Sequence, residues 1–232
     1  SVNMSMTIPK SLQSQRMNRF LALKELSVRQ WSFLELTEDP LFDKIRPERY
    51  AEYSDTALAD AREKAGAYGI ASLRDWMAGN DIGYEVVTSG SPMLIHSETV
   101  LRNGRITIKI YEDVIRELSD CIEAIGLRME TETLMTLHLA HEFYHCLEYR
   151  NETDLSRKCP AVDYRFMGLI TRKGYVSRTR EIAAHAYAGE VCGLSFHPKL
   201  LDYLLWERKE PETADAYYRS CMECVEKWKG DL

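Results

Sequence analysis

Residues His141-Glu142-Phe143-Tyr144-His145 place two imidazoles four positions apart, with a carboxylate directly after the first. On an α-helix the two histidines fall one turn apart, offset by roughly 40° around the axis and about 6 Å along it. Their ring nitrogens then converge on one divalent cation. Glu142, about 100° round the helix, sits close enough to handle a water there without being a ligand. A helical wheel groups Leu134, Leu137, His138, His141, His145 and Glu148 on one face, with Thr136, Leu139, Ala140, Phe143 and Leu147 roughly opposite. Such a helix is buried on both sides, so its polar groups need partners inside the protein. A shared zinc ion satisfies two buried histidines directly.

A zinc ion that does chemistry takes three protein ligands and keeps one position open. The stretch Arg180-Glu181-Ile182-Ala183-Ala184-His185-Ala186-Tyr187-Ala188 offers the third. As a helix it groups Glu181, Ala184, His185, Ala188 and Cys192 on one face, and the alanines permit close approach to the first helix. Glu181 is the leading candidate; His185, Glu148 and Asp163 are the alternatives. His138 reads as a core residue or a partner that orients a ligand, and His96 and His197 as structural or solvent-exposed.

These side chains need a scaffold. Mixed apolar and charged residues over 11–36 predict one or two helices, and a clearer helix spans 56–77, with Ser54, Asp55 and Thr56 as N-cap candidates and Gly79-Asn80 as its stop. Residues 83–87 read as a strand and 89–92 as a turn. Strands at 93–101 and 105–111 flank Asn103-Gly104, a hairpin signal. Ile106, Ile108 and Ile110 alternate with Thr107 and Lys109, the period of a strand with one buried face. A helix over 112–126 and another over 131–149 follow, then a loop-rich stretch over 151–180, and helices at about 179–192 and 212–228. The expected fold is α+β: a mostly helical, zincin-like domain with a small sheet of three or four strands. It divides into an N-terminal helical extension (1–55) that packs as extra helices, a catalytic core (56–195) and C-terminal helices (196–232).

HExxH followed, 36 residues after His145, by a helix bearing a ligand glutamate resembles a gluzincin, and more closely the ImmA/IrrE-type minimal gluzincins. Their second motif resembles E-x-x-A-N-x-F-A, against Glu181-Ile182-Ala183-Ala184-His185-Ala186-Tyr187-Ala188 here, with His in place of Asn and Tyr in place of Phe. The resemblance covers about 56–195, with a long spacing between motifs and no helix-turn-helix module. It implies a metallopeptidase in which His141, His145 and Glu181 hold Zn²⁺ and Glu142 passes a proton from water to the leaving amine. His185, Tyr187, Tyr144 and Tyr175 are candidates to steady the oxyanion, and His185 is equally a candidate to orient His141 or His145. If the strand over 106–111 is a sheet edge beside the metal, a substrate can add to it as a further strand; pairing on both sides would dispose of that idea.

With 45% hydrophobic and 28% charged residues the composition is ordinary for a globular chain. A net charge of −6 and a pI near 5.6 argue against a nucleic-acid partner. The start, SVNMSMTIPK, has no apolar leader core, and no apolar run approaches the ~20 residues of a membrane span. The expectation is a cytoplasmic protein with six reduced cysteines, a peptide or protein substrate and no membrane partner. The oligomeric state is left open. The rival reading is a non-peptidase regulatory or interaction module that keeps the gluzincin fold and its metal, against which Glu142 argues, because a structural site has no need of it.

Overall fold

A computed structural model describes residues 10–88 and 95–229. The reading of 1–10 as free of a leader falls mostly outside them, as do the turn expected at 89–92 and the start of the strand expected from 93. The fold is α+β and mostly helical, with nine α-helices among the described residues, one three-stranded sheet and a separate two-stranded hairpin. No described helix is long and apolar enough to cross a membrane.

Helices α1 (Lys10–Lys24) and α2 (Val28–Leu36) open the chain. Ser27 and Gln30 form a reciprocal capping box at the start of α2. The helix expected over 56–77 is two helices, α3 (Tyr50–Ala67) and α4 (Ile70–Gly79). It starts a turn and a half early, which leaves Ser54 and Asp55 inside α3 instead of at its cap. At the break Gly69 takes an extended conformation and caps α4, and the Tyr68 carbonyl accepts a hydrogen bond from the Tyr187 hydroxyl at 2.8 Å.

Strands β1 (Ile82–Val87), β2 (Ser97–Arg102) and β3 (Arg105–Tyr111) form a sheet of order β1-β3-β2, with β1 parallel and β2 antiparallel to β3. Asn103 and Gly104 both take positive φ in the β2–β3 turn. Ile106, Ile108 and Ile110 are buried, as their alternation predicts. The substrate-edge idea for this strand fails, because β3 is paired on both sides and β1 and β2 are the edges. Helix α5 (Glu112–Ala124) follows, then α6 (Thr131–Arg150), which carries HExxH and packs on β2 and β3.

The stretch expected as loop over 151–180 contains a hairpin, β4 (Val162–Phe166) and β5 (Ile170–Gly174). Its strands are largely exposed, so they lack the alternation that burial of one face would impose. Three residues after β5, α7 (Arg178–Val191) begins and packs against α3, α6 and α2. Helices α8 (Lys199–Lys209) and α9 (Pro211–Lys227) close the chain, α8 against α5 and α1.

Candidate metal centre

The crossing of α6 and α7 builds the site. Ala183, Ala184 and Ala188 are buried, and their small side chains let the two helices approach. Glu181 Oε2 lies 3.3 Å from His141 Nε2 and Glu181 Oε1 lies 3.2 Å from His145 Nε2. One donor atom from each of the three residues falls within 4.8 Å of the other two, and no other described group of histidine, cysteine or acidic side chains converges in this way. Ligands about 2.0–2.1 Å from a tetrahedral zinc stand about 3.3 Å apart, so this donor set fits zinc in type and in spacing.

The alternative third ligands do not join the cluster. Glu148 is buried and engaged by other elements: Oε1 accepts the Leu155 N–H at 2.8 Å and Oε2 accepts from Arg180 Nε on α7 at 2.8 Å. It still stands behind the cluster, 3.6 Å from His145 Nδ1, close enough to favour charge on that ring. Asp163 lies in the hairpin, opposite Lys173. His185 turns Nδ1 to Glu35 Oε1 at 2.6 Å while its ring centroid lies 4.5 Å from that of His141.

Electrostatics follow from this crowding. Burial opposes charge on Glu181, but His141 and His145 outweigh it and hold the carboxylate well below its usual range. Burial likewise lowers His145, yet Glu148 and Glu181 overcome it and hold the ring up at about 9. In the metal-free chain this ion pair supports the fold fully between the ordinary glutamate value of 4.5 and the ordinary histidine value of 6.5. It fades as pH climbs through about 9, and again as acid protonates Glu181. Zinc needs the neutral ring. Calorimetric titration of the metal-free protein at pH ~7.5, in buffers of different ionisation enthalpy, is therefore expected to register about one proton released per zinc bound. Zero protons released would mean that His145 is already neutral.

Glu142 is held from the sheet. Ser97 Oγ donates to its Oε1 at 2.9 Å and Thr99 Oγ1 to its Oε2 at 2.7 Å. The two hydroxyls sit at alternate positions of β2 and so share one face of the strand. Neither was legible beforehand, since the pairing that brings β2 to α6 spans more than 40 residues.

Of the oxyanion candidates, Tyr187 is corrected by its contacts. It is fully buried, packs beside Phe143 and Tyr144, and its hydroxyl donates to the Tyr68 carbonyl. Tyr144 is also fully buried and donates to Asp60 at 2.5 Å, and Tyr175 lies under the Arg157 guanidinium. His185 does line the site, in a cavity of about 180 Å³ with His96, His138, His141, Glu142 and Asp202. Burial lowers His185 and raises Glu35, so the enclosed pair favours zero net charge.

His96, expected to be structural or solvent-exposed, and His138, expected in the core or behind a ligand, both line that cavity. His138 Nδ1 donates to the Leu134 carbonyl at 2.7 Å, and burial pushes its pKa down to about 3. Its Nε2 is therefore an acceptor, and His96 Nδ1 donates to it at 2.8 Å. His96 Nε2 faces Asp202 at 3.3 Å. On the other side of Glu142 a cavity of about 650 Å³ is lined by Glu38, Asp39, Thr99, His145, Arg178 and Glu181 among others.

Compared with known protein families, curated proteins and solved structures, the chain matches none of them.

Proposed function

We propose that this chain is a zinc-dependent metallopeptidase of the minimal gluzincin kind, with His141, His145 and Glu181 as ligands. The observation that carries the reading is the convergence of those three donors with Glu142 beside them on α6. A structural site would need the first three residues alone. When bound, zinc supplies Lewis acidity, which makes water acidic near neutral pH and polarises a carbonyl.

The chain's own groups do the rest. Glu142 takes the proton of the attacking water and returns it to the leaving amine, and the Ser97 and Thr99 hydroxyls fix its orientation. His185 offers its Nε2–H to the oxyanion, with Glu35 setting the ring. The free edge of β2 is the sheet edge nearest Glu142, and an extended peptide adds there as a strand, flanked by the two cavities that Glu142 joins. Six unpaired cysteines suit a reducing compartment, and we place the protein in the cytoplasm.

Mass spectrometry of the purified protein tests this reading, paired with digestion of a complex peptide pool. The expected result is about one zinc per chain and a set of new peptide termini that vanish on chelation and return with zinc. A zinc-loaded protein that cuts nothing in the pool would leave a metal-binding module in place of a peptidase.

A further inference from the structure

The β4–β5 hairpin ends in an apolar tip that faces solvent. Phe166 is 40% exposed, Met167 82%, Leu169 91% and Ile170 55%. These are four of the large hydrophobic residues that the fold leaves uncovered, and they are contiguous around one turn. Met167 and Gly168 both take positive φ there, 50° and 72°, so a methionine stands where asparagine or aspartate would be easier.

The charge around the tip is one-sided. Between Tyr164 and Arg180 there are five cations and no acid, in a chain whose net charge is −6. Arg178 and Arg180 are spent on Glu38 and Glu148. Arg165, Arg172 and Lys173 form no ion pair among the described residues, and the nearest acid in the hairpin, Asp163, sits at its base opposite Lys173. Arg172 lies over the Phe166 ring at 4.2 Å, which holds a guanidinium against the edge of the apolar tip. The base is anchored: Val162 is buried, and Gly174 lets Leu41 pack closely against it.

We infer that this hairpin docks the protein on an anionic lipid bilayer, with the Phe166–Ile170 tip in the interfacial layer and Arg165, Arg172 and Lys173 on the headgroups. Shape and charge favour a bilayer over a protein partner. The tip is convex and offers only a few side chains, far short of the ~800 Å² per partner that a stable protein interface uses. A bilayer needs no matching pocket: it accepts a small apolar wedge and rewards cations held just behind it. A peripheral contact of this kind needs no spanning segment, so it is compatible with the absence of one among the described helices. It departs from the expectation of no membrane partner because burial, not composition, reveals the tip. The inference stands on the hairpin alone and is independent of the metal centre.

The test is co-sedimentation of the full chain with vesicles of phosphatidylcholine plus phosphatidylserine, against phosphatidylcholine alone. Wild type is expected to bind the anionic vesicles at least ~10-fold more strongly, since each cation near such a surface is worth about fivefold, and high salt should reduce the difference. Leu169→Asp and Met167→Asp should each lower binding by about 10-fold or more. The double variant Arg172→Glu, Lys173→Glu should fall to the level seen with phosphatidylcholine alone. All four positions are exposed, so circular dichroism and zinc content should match wild type. Wild type left in the supernatant, or Leu169→Asp binding as well as wild type, overturns the proposal. So does tip-dependent self-association without vesicles, which would assign the tip to a second copy.

Discussion

Glu181→Ala is expected to empty the metal centre, lowering zinc affinity by well over 100-fold and leaving purified protein with almost no bound metal. Loss of a group that merely orients a ligand costs about 10- to 100-fold, and loss of one of three ligands exceeds that. Two further consequences separate this from simple unfolding. The helix should survive, because the neighbours of Glu181 on α7, Ile182, Ala183 and Ala184, are the residues packed in the core. His145 also loses one of the carboxylates that hold it up at about 9, so the proton released on zinc binding should diminish along with the affinity. His185→Ala is the control: it removes a residue of the cavity wall and is expected to retain zinc. Equal loss of zinc in both variants would mean that His185, not Glu181 alone, completes the coordination. Inductively coupled plasma mass spectrometry after gel filtration reads all of this directly.

Glu142→Gln carries the second large effect: zinc content unchanged and peptide hydrolysis reduced by about 10²- to 10⁴-fold, the usual contribution of a positioned general base. The glutamine oxygen can still accept from one of the two hydroxyls, Ser97 or Thr99, so the side chain stays in place and only its basicity is lost. The variant should then hold peptides it cannot cut, and cross-linking followed by mass spectrometry would identify them. Hydrolysis that persists at the wild-type rate would remove Glu142 from the mechanism.

The HExxH spacing and the alanine-lined face of the helix after it were readable because helix geometry groups His141 with His145 on one helix and Glu181 with the alanines on the other; that the two faces meet is tertiary packing. The Ile106–Ile110 alternation was readable for the same reason, as a local period reporting a local element. What the sequence concealed depends on long-range pairing. Nothing near Ser97 or Thr99 announces that β2 will lie against Glu142. His96 meets His138 only because the strand edge passes over α6. The Tyr68 carbonyl at the α3–α4 break finds its partner in Tyr187, more than 100 residues on. The hairpin at Val162–Gly174 escaped because its strands bury almost nothing, and an unburied strand carries no hydrophobic signature. Composition did not show how the N-terminal helices meet the site: Glu35, Glu38 and Asp39 all touch α7 or the cavity beside it.

That last placement bears on how the protein is made. Asp39 accepts the backbone N–H of Arg178 at the start of α7, 139 residues away, and Glu35 reaches His185 across 150. Such contacts close late, after their loop-closure entropy has been met. On the ribosome α2 emerges long before α7, the helix it must brace, and Glu181 follows both His141 and His145. The nascent chain therefore carries His141 and His145 before Glu181, and the three-residue cluster is complete only once α7 has emerged.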